Sequence, residues 1–183
     1  MLRSILRALT GRFERRYDYD ASYMRELIDI DPAAFFAFSK VQGLSSYRKA
    51  PPEALVAAGL VGTLAEDCGP CTQIGCDIAT ANGVRPEVLR GILAGDAALM
   101  GEKAWLAYRF AKASLARDMD ACDPLRDEIV ARWGDKALVA ISLSLMAARM
   151  YPTLKYALGY GKACSKVVVA GEAAPVAHLA EAA

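Results

Sequence analysis

The sequence predicts an all-α protein folded as one multi-helix bundle. Proline and aspartate recur at the starts of apolar segments and glycine recurs at their ends, which is the usual punctuation of helices. Apolar side chains within the segments follow helical spacing. Only residues 167–169 are β-branched in series, so strand signals are nearly absent. A chain of 183 residues is long enough for one domain with a substantial core.

The first element is predicted over residues 2–16 as an amphipathic, basic helix. One face carries Leu2, Ile5, Leu6, Leu9 and Phe13, and the other carries Arg3, Arg7, Arg12, Arg15 and Arg16. Such a helix docks on its own core or lies on an anionic membrane surface. We favour docking, so contact with a membrane surface is not expected.

Five further helices are predicted between residues 31 and 119. Each begins at a proline or directly after an aspartate, and glycines mark several of the ends. Asp31 is a candidate N-cap of the first of these, and Asp96 is a candidate N-cap of the last. The expected ranges are 32–43, 52–65, 70–83, 86–95 and 97–119.

Three helices are predicted in the C-terminal part of the chain. The first starts at Asp123 and Pro124, and Gly134 ends it. Residues 135–150 are apolar almost all round, which is typical of a buried helix. Tyr151 and Pro152 are expected to break it, and a last helix is expected over residues 153–166.

These elements define one domain and a tail. We expect a single helical domain over residues 1–170, in which the N-terminal helices of residues 1–45 pack on a core of residues 46–166. Residues 171–183 are rich in alanine and contain the only histidine, His178. We expect this tail to be disordered.

Composition and charge exclude several classes of function. The formal net charge is +1, so no field draws the chain onto nucleic acid, and a nucleic-acid partner is not expected. The longest apolar stretches, 54–65 and 137–148, are shorter than the ~18–20 residues that span a bilayer. The amino terminus is too charged for a secretory signal, so a cytoplasmic location is expected. Hydrophobic residues make up 55% of the chain, which predicts an apolar surface that closes against a second copy in a homo-oligomer.

The strongest chemical signal is the motif CGPC at positions 68–71. Two thiols at this spacing can close into a disulfide ring and reopen, and in a reducing cytoplasm such a pair is redox-active or metal-binding. Pro70 favours a helix start here, which directs free N–H groups toward Cys68 and lowers the pKa of its thiol. Gly69 is then the expected N-cap, Cys68 the more activated and more accessible sulfur, and Cys71 the resolving partner. Glu66 and Asp67 oppose thiolate formation, unless they accept its proton.

The other cysteines favour structural roles. Cys76 lies within an apolar helix and is expected to be a core residue. Cys122 and Cys164 are isolated in the sequence and are also expected to be structural. Cys68, Cys71 and Cys76 give only three soft ligands, one fewer than structural zinc normally takes, so no metal is expected.

The CGPC motif is identical to that of thioredoxins, but the flanking strands that a thioredoxin fold requires are missing. The chain instead resembles the carboxymuconolactone decarboxylase superfamily, in its alkylhydroperoxidase D-like branch, over roughly residues 45–165. The resemblance rests on the order of a Pro-rich start at 50–52, an apolar helix, the CxxC turn, a helix stop at 82–84, the segment 86–95 and the segment 151–156.

The resemblance implies an all-helical fold, assembly into an obligate homo-oligomer, and a cysteine pair that reduces hydroperoxides or exchanges disulfides with a thiol or lipoyl partner. In redox-active members the second cysteine attacks, helped by a histidine four residues after it and a glutamate twelve residues before the first. Those positions hold Gly75 and Val56 here. Glu53, about one helical turn earlier, is a candidate relay carboxylate through water, or else a solvated helix-start residue.

We therefore expect a thiol-disulfide oxidoreductase or hydroperoxide-reducing protein of modest turnover, with Cys68 and Cys71 as its redox pair and Glu53 as a weaker candidate. No bound cofactor is expected, and the reductant is an external thiol or lipoyl group. One alternative is a non-catalytic helical oligomer or thiol redox sensor. A further alternative is a carboxymuconolactone-type decarboxylase.

Overall fold

The computed structural model describes residues 1–161 and 167–177, and over these ranges the chain is all-α apart from one short hairpin. This confirms the predicted fold class. The helices are α1 Leu2–Tyr17, α2 Ser22–Ile30, α3 Pro32–Ser39, α4 Val41–Ser45, α5 Pro52–Ala65, α6 Gly69–Ala81, α7 Pro86–Ala94, α8 Ala97–Ala116, α9 Met119–Trp133 and α10 Asp135–Ala157, and the strands are β1 Val168–Val169 and β2 Glu172–Ala173.

Helix α5 lies at the centre of the bundle, between α10 and α8. Its glycines permit a close approach to α10. A Cβ atom on Gly62 would lie 2.8 Å from the Leu145 carbonyl oxygen, and one on Gly59 would lie 3.3 Å from Ser144 Oγ. The Ser144 hydroxyl donates to the Leu55 carbonyl at 2.9 Å, which ties the two helices together.

The core has two parts. The larger cluster contains residues from all helices from α5 through α10, and its fully buried members include Leu89, Ile92 and Ile141. A separate cluster forms where the segment between α1 and α2 packs on α6 and α10. Its buried members are Tyr19, Ala21 and Tyr23, with partly buried side chains such as Ile74, Leu154 and Leu158 around them. This small cluster brings the N-terminal helices to the cysteines.

Helix α1 docks less completely than the sequence predicted. Leu6 is buried, but Leu2, Ile5 and Leu9 are 51%, 53% and 59% exposed. The apolar face is therefore mostly uncovered over the first two turns.

Two prolines lie inside helices rather than at breaks. Helix α9 begins at Met119, because Asp118 is the N-cap and accepts the Ala121 N–H at 3.0 Å; the predicted start at Pro124 is wrong. Helix α10 continues past Pro152 to Ala157, so the predicted break there is also wrong. Pro152 is buried, and packing of the helix outweighs the one lost backbone hydrogen bond.

The chain after residue 166 forms an ordered hairpin. Strands β1 and β2 pair antiparallel, and the Ala177 N–H donates to the Leu93 carbonyl at 2.8 Å. The Gln73 side chain binds both backbone groups of Val168, at 2.6 and 3.0 Å. Disorder was expected from residue 171, and residues 171–177 correct that expectation. Residues 178–183, the rest of the expected tail with His178, lie outside the described residues. So do Cys164 and the end of the last predicted helix.

Helix α10 is long and apolar enough to cross a membrane by length and composition. The same composition is found in the central helix of a soluble bundle. Here α10 packs against α4, α5, α8 and α9.

Candidate redox site

The candidate site lies where α5 ends and α6 begins. Asp67 has a left-handed backbone with a φ of 48°, and the Cys68 N–H donates to the Thr63 carbonyl at 3.3 Å. Helix α10 supports this turn, because the Tyr156 hydroxyl donates to the carbonyl oxygens of Glu66 and Asp67 at 2.8 and 2.9 Å. The predicted position of the cysteine pair between two helices is confirmed.

Cys68 is the N-cap of α6, and Cys71 lies in its first turn. The predicted N-cap, Gly69, is wrong by one residue, because the Cys68 carbonyl already accepts a helical hydrogen bond from the Thr72 N–H at 2.9 Å. The Thr72 hydroxyl lies 3.0 Å from the same carbonyl and 3.0 Å from the Thr63 hydroxyl. Both threonines are buried, so these contacts fix the backbone of Cys68.

The two cysteines are in the dithiol form and are buried, each only 4% exposed. The expectation that Cys68 is the more accessible sulfur is therefore wrong. The expected difference in acidity is present. A hydrogen bond from the Cys71 thiol, and then the Cys71 N–H, lower the pKa of Cys68 to about 7 against the opposing effect of burial. The pKa of Cys71 is raised, because its thiol is engaged by Cys68 and is buried.

The main cause of the low pKa of Cys68 is not the one that the sequence indicated, which was the free N–H groups at the start of α6. The side chain of Cys68 makes no capping hydrogen bond of ordinary length to α6. The N–H of Cys71 still favours the Cys68 thiolate, but the Cys71 thiol contributes more. The second cysteine therefore lowers the pKa of the first more through its thiol than through its backbone N–H.

Charges around the pair come from three directions. Arg149 holds Glu66 through Nε and Nη2 at 2.6 and 2.5 Å, so the Glu66 carboxylate is already paired. Asp67 is exposed and raises the pKa of Cys68. Lys155 acts the other way and lowers the pKa of both cysteines. Of the two acidic neighbours that the sequence singled out, only Asp67 opposes the thiolate.

Sequence reasoning missed three residues of this site. Tyr19 and Tyr23 flank the start of α2, and Lys155 lies near the end of α10. The Tyr19 hydroxyl lies 3.9 Å from Cys71 Sγ. Lys155 Nζ lies 5.2 Å from the ring centroid of Tyr19 and 5.9 Å from that of Tyr23, within the range of cation–π attraction. Lys155 is 5% exposed, which is unusual for a lysine near a helix end.

The two tyrosines remain protonated in this setting. Burial is the main cause that raises the pKa of each hydroxyl. The charge of Cys71 raises both values further, and that of Cys68 also raises the pKa of Tyr23. Both hydroxyls are therefore hydrogen-bond donors at neutral pH. The only hint in the sequence is the i, i+4 spacing of the two tyrosines, which many helices share.

Glu53 does not reach the cysteine pair. It lies in the first turn of α5, whereas the cysteines follow the last turn, and the helix rises about 18 Å between Glu53 and Ala65. Its carboxylate faces Lys103 on α8 at 3.7 Å. The candidate relay role of Glu53 is therefore wrong.

Position 75, where the family that the sequence resembles carries a histidine, is tightly packed. A Cβ atom on Gly75 would lie 2.9 Å from Leu60 Cδ2, so a larger side chain requires the buried Leu60 side chain to shift. Val56, at the other relay position, packs against the main core. Neither position holds a side chain that could transfer a proton.

The remaining described cysteines are structural, as predicted. Cys76 is 1% exposed, and burial raises its pKa to about 12, which keeps it a thiol. Cys122 is buried with its sulfur 3.4 Å from Ser114 Oγ. Within residues 1–161 and 167–177, no three His, Cys, Asp or Glu side chains are grouped to hold a metal ion.

A concave surface lies between α8 and α9, away from the cysteines. It has a volume of about 500 Å³ and is lined by Trp105, Tyr108, Arg109, Lys112 and Glu128, among others. Trp105 and Tyr108 stack there at 5.7 Å. Phe110, on the same helix, is buried in the core.

Nothing matched this chain among protein-family models, curated proteins or solved structures. The resemblance drawn from the sequence therefore stays a prediction.

Proposed function

We propose that this protein is a cytoplasmic dithiol oxidoreductase in which Cys68 is the attacking thiolate and Cys71 is the resolving thiol. The observation that carries the proposal is the asymmetry of the pair. One buried sulfur has its pKa lowered to about 7, and its neighbour three residues on is held protonated. A thiolate is the reactive form of cysteine, and a protonated partner is ready to complete the disulfide.

The reaction transfers two electrons from the pair to the substrate. The Cys68 thiolate attacks an oxygen or sulfur atom of the substrate and displaces an alkoxide or a thiolate, which takes up one proton. The product on Cys68 is a sulfenic acid or a mixed disulfide. The Cys71 sulfur then attacks Cys68 and forms the disulfide, releasing water or the second thiol. An external thiol or dihydrolipoyl group returns two electrons and two protons.

The proposed family context is the alkylhydroperoxidase D-like branch of the carboxymuconolactone decarboxylase superfamily. The helical bundle and the CxxC pair at the start of α6 support it. This chain would differ in its proton relay, because Gly75 and Val56 stand at the relay positions. Assembly into a homo-oligomer is part of the proposal, and exposed Val139, Met146 and Met150 on α10 supply an apolar stripe for it.

A redox sensor is the second candidate, and the burial of the pair favours it. With each cysteine 4% exposed, a bulky partner reaches neither thiol unless residues that cover the pair move, among them Tyr19 beside Cys71. A sensor consumes one equivalent of oxidant and stops, whereas an enzyme continues as long as reductant is supplied.

The deciding experiment measures hydroperoxide consumption with excess dihydrolipoamide for the wild type, Cys68→Ser, Cys71→Ser and Cys76→Ser. We expect sustained turnover in the wild type and in Cys76→Ser, which is the matched control because Cys76 is buried away from the pair. Cys68→Ser should be inactive. Cys71→Ser should accumulate a sulfenic acid or mixed disulfide on Cys68, detected by mass spectrometry. Trapping on Cys71 in the Cys68→Ser variant would reverse the order of attack, and consumption that stops at one equivalent would favour the sensor.

A further inference from the structure

We propose that Lys155, Tyr19 and Tyr23 form the oxygen-binding and proton-supplying half of this site, and that its oxidising substrate is a small hydroperoxide and not a disulfide. This inference rests on the proposed function of Cys68 and Cys71. It supplies from the N-terminal segment and α10 the proton chemistry that α5 and α6 do not provide.

The first observation is the Tyr23 hydroxyl. Tyr23 is 1% exposed, and its hydroxyl makes no hydrogen bond of ordinary geometry to the described residues, although the nearby Tyr19 hydroxyl acts on it and lowers its pKa against the effect of burial. Buried hydroxyls are normally paired, so one without a well-formed hydrogen bond is available to a ligand. Its position beside the cysteine pair follows from its neighbours, since the Tyr19 hydroxyl lies 3.9 Å from Cys71 Sγ and Lys155 faces the rings of both tyrosines. A phenol that stays protonated donates a hydrogen bond to an oxygen atom.

The second observation is the burial of Lys155. It is 5% exposed, it faces the rings of Tyr19 and Tyr23, and the described residues place no carboxylate within ion-pair distance of it. Asp20 is the carboxylate whose pKa it lowers, but Asp20 is exposed to water. A buried ammonium without a paired carboxylate needs an anion nearby. The Cys68 thiolate is that anion before the reaction, and the departing oxygen is that anion during it.

Together with Cys68 and Cys71, these groups can reduce a hydroperoxide to an alcohol. The Cys68 thiolate attacks the terminal oxygen of ROOH, the O–O bond breaks, and RO⁻ leaves. Hydroxyl donation from Tyr23 stabilises the developing charge, and a proton from the Lys155 ammonium converts RO⁻ to ROH. Cys68 is now a sulfenic acid. Cys71 attacks its sulfur to form the disulfide, its own proton leaves with the hydroxide as water, and Lys155 regains a proton from the next Cys68 thiol that ionises.

The same features disfavour a disulfide substrate. A thiolate leaving group is a weak base that needs little help from a hydroxyl donor, whereas an alkoxide is a strong base that needs a donor and a proton. The Tyr19 hydroxyl, 3.9 Å from Cys71 Sγ, also fills the space beside the resolving sulfur. With each cysteine only 4% exposed, a hydroperoxide of a few atoms reaches the pair more readily than a protein disulfide does.

The test compares two single-turnover reactions of the reduced protein, with hydrogen peroxide and with iodoacetamide. Both consume the Cys68 thiolate, but only peroxide reduction has an oxygen leaving group. We expect Tyr23→Phe to slow oxidation by peroxide about tenfold or more while leaving the alkylation rate unchanged. This substitution keeps the buried ring and removes only a hydroxyl that makes no hydrogen bond of ordinary geometry, so it should not unfold the protein. Equal oxidation rates in Tyr23→Phe and the wild type would overturn the proposal.

Lys155 is tested through the pH dependence of alkylation. We expect Lys155→Met to move the midpoint for Cys68 to higher pH and Lys155→Arg to restore it, since arginine keeps the charge. Lys112→Met is the matched control. Lys112 also lies over a tyrosine ring, 5.8 Å from the ring centroid of Tyr108, but it belongs to the concave surface between α8 and α9. An unchanged midpoint in Lys155→Met would overturn the role of Lys155.

Failure of this inference and failure of the proposed function give different results. If the wild type reacts once with peroxide and then stops, turnover has failed, yet the Tyr23→Phe and Lys155→Met comparisons still decide the inference. If the wild type turns over with a model disulfide but resists peroxide, the proposed function stands and the hydroperoxide inference is overturned.

Discussion

The Tyr19 hydroxyl lies 3.9 Å from the Cys71 sulfur, although 52 residues separate them in the chain. This contact makes the segment between α1 and α2 part of the redox site. Lys155 joins the same group from α10, with its ammonium 5.2 Å from the Tyr19 ring centroid. The acidity and surroundings of the cysteine pair thus depend on three separate parts of the sequence.

The threonine pair beside Cys68 should be important for stability. Thr72→Val removes the hydroxyl that contacts the Cys68 carbonyl and the Thr63 hydroxyl, all in a buried setting. We expect the free energy of unfolding to fall by about 1–3 kcal/mol in urea denaturation of the reduced protein. Thr80→Val is the control, since its hydroxyl bonds the Cys76 carbonyl at 2.9 Å in a half-buried position. A loss in Thr80→Val as large as in Thr72→Val would show that the Thr63 contact adds nothing.

A histidine at position 75, where the family that the sequence resembles has one, should damage the fold. In Gly75→His the new Cβ would lie 2.9 Å from Leu60 Cδ2, in the contact between α6 and α5. Overpacking of this kind costs about 1–3 kcal/mol, because the buried Leu60 side chain must shift. We expect a lower melting temperature and no gain in peroxide reduction. Gly43→Ala is the control, because a Cβ there meets no atom within 4 Å. A stable Gly75→His variant with faster turnover would contradict the packing argument.

Asp67 should restrain the acidity of Cys68. Its negative charge raises the pKa of Cys68, so Asp67→Asn should move the alkylation midpoint to lower pH. The change should be small, because Asp67 is exposed and its charge is screened by water and salt. Asparagine also tolerates the left-handed backbone at this position. Asp77→Asn, beside Cys76, should leave the midpoint unchanged; a shift to higher pH in Asp67→Asn would refute the assignment.

The stability of the reduced protein should depend on pH through the same pair. Folding lowers the pKa of Cys68 to about 7, whereas an unfolded cysteine titrates near ~8.5. Between these values the unfolded chain holds a proton that the folded chain has released, so the free energy of unfolding rises with pH. This contribution is complete above ~8.5 and is lost as pH falls through about 7. The pKa of Cys71 is raised on folding, so above ~8.5 its titration lowers the free energy of unfolding as pH rises.

Urea denaturation across this range measures the effect. The difference in stability between the wild type and Cys68→Ser should grow from neutral to mildly alkaline pH. Parallel curves for the two proteins would mean that Cys68 titrates alike in the folded and unfolded states.

The sequence predicted the parts of this fold whose signals are local. Pro70 between two cysteines at helical spacing indicated the start of α6, and Asp96 with Gly95 before it marked the start of α8. Local signals failed where packing opposed them. Pro152 reads as a helix break, but it is buried in α10 and the helix continues.

The site itself was only half visible. The spacing of a CxxC motif indicates its chemistry, because both sulfurs lie within one helical turn. Tyr19 and Lys155 come close to the pair only through tertiary packing, which the local sequence does not show. Glu53 failed for the same reason, since its distance from the pair is fixed by the length of α5. Periodicity cannot show which distant side chains share a buried cluster.

The most direct test is the redox equilibrium of the pair in native protein. The protein would be equilibrated in mixtures of oxidised and reduced dithiothreitol, and the disulfide assigned by mass spectrometry. We predict one two-electron transition that joins Cys68 to Cys71, leaves Cys76 a thiol, and reverses fully without unfolding. A Cys68–Cys71 disulfide that forms only in denaturant, or that never forms, would contradict the account.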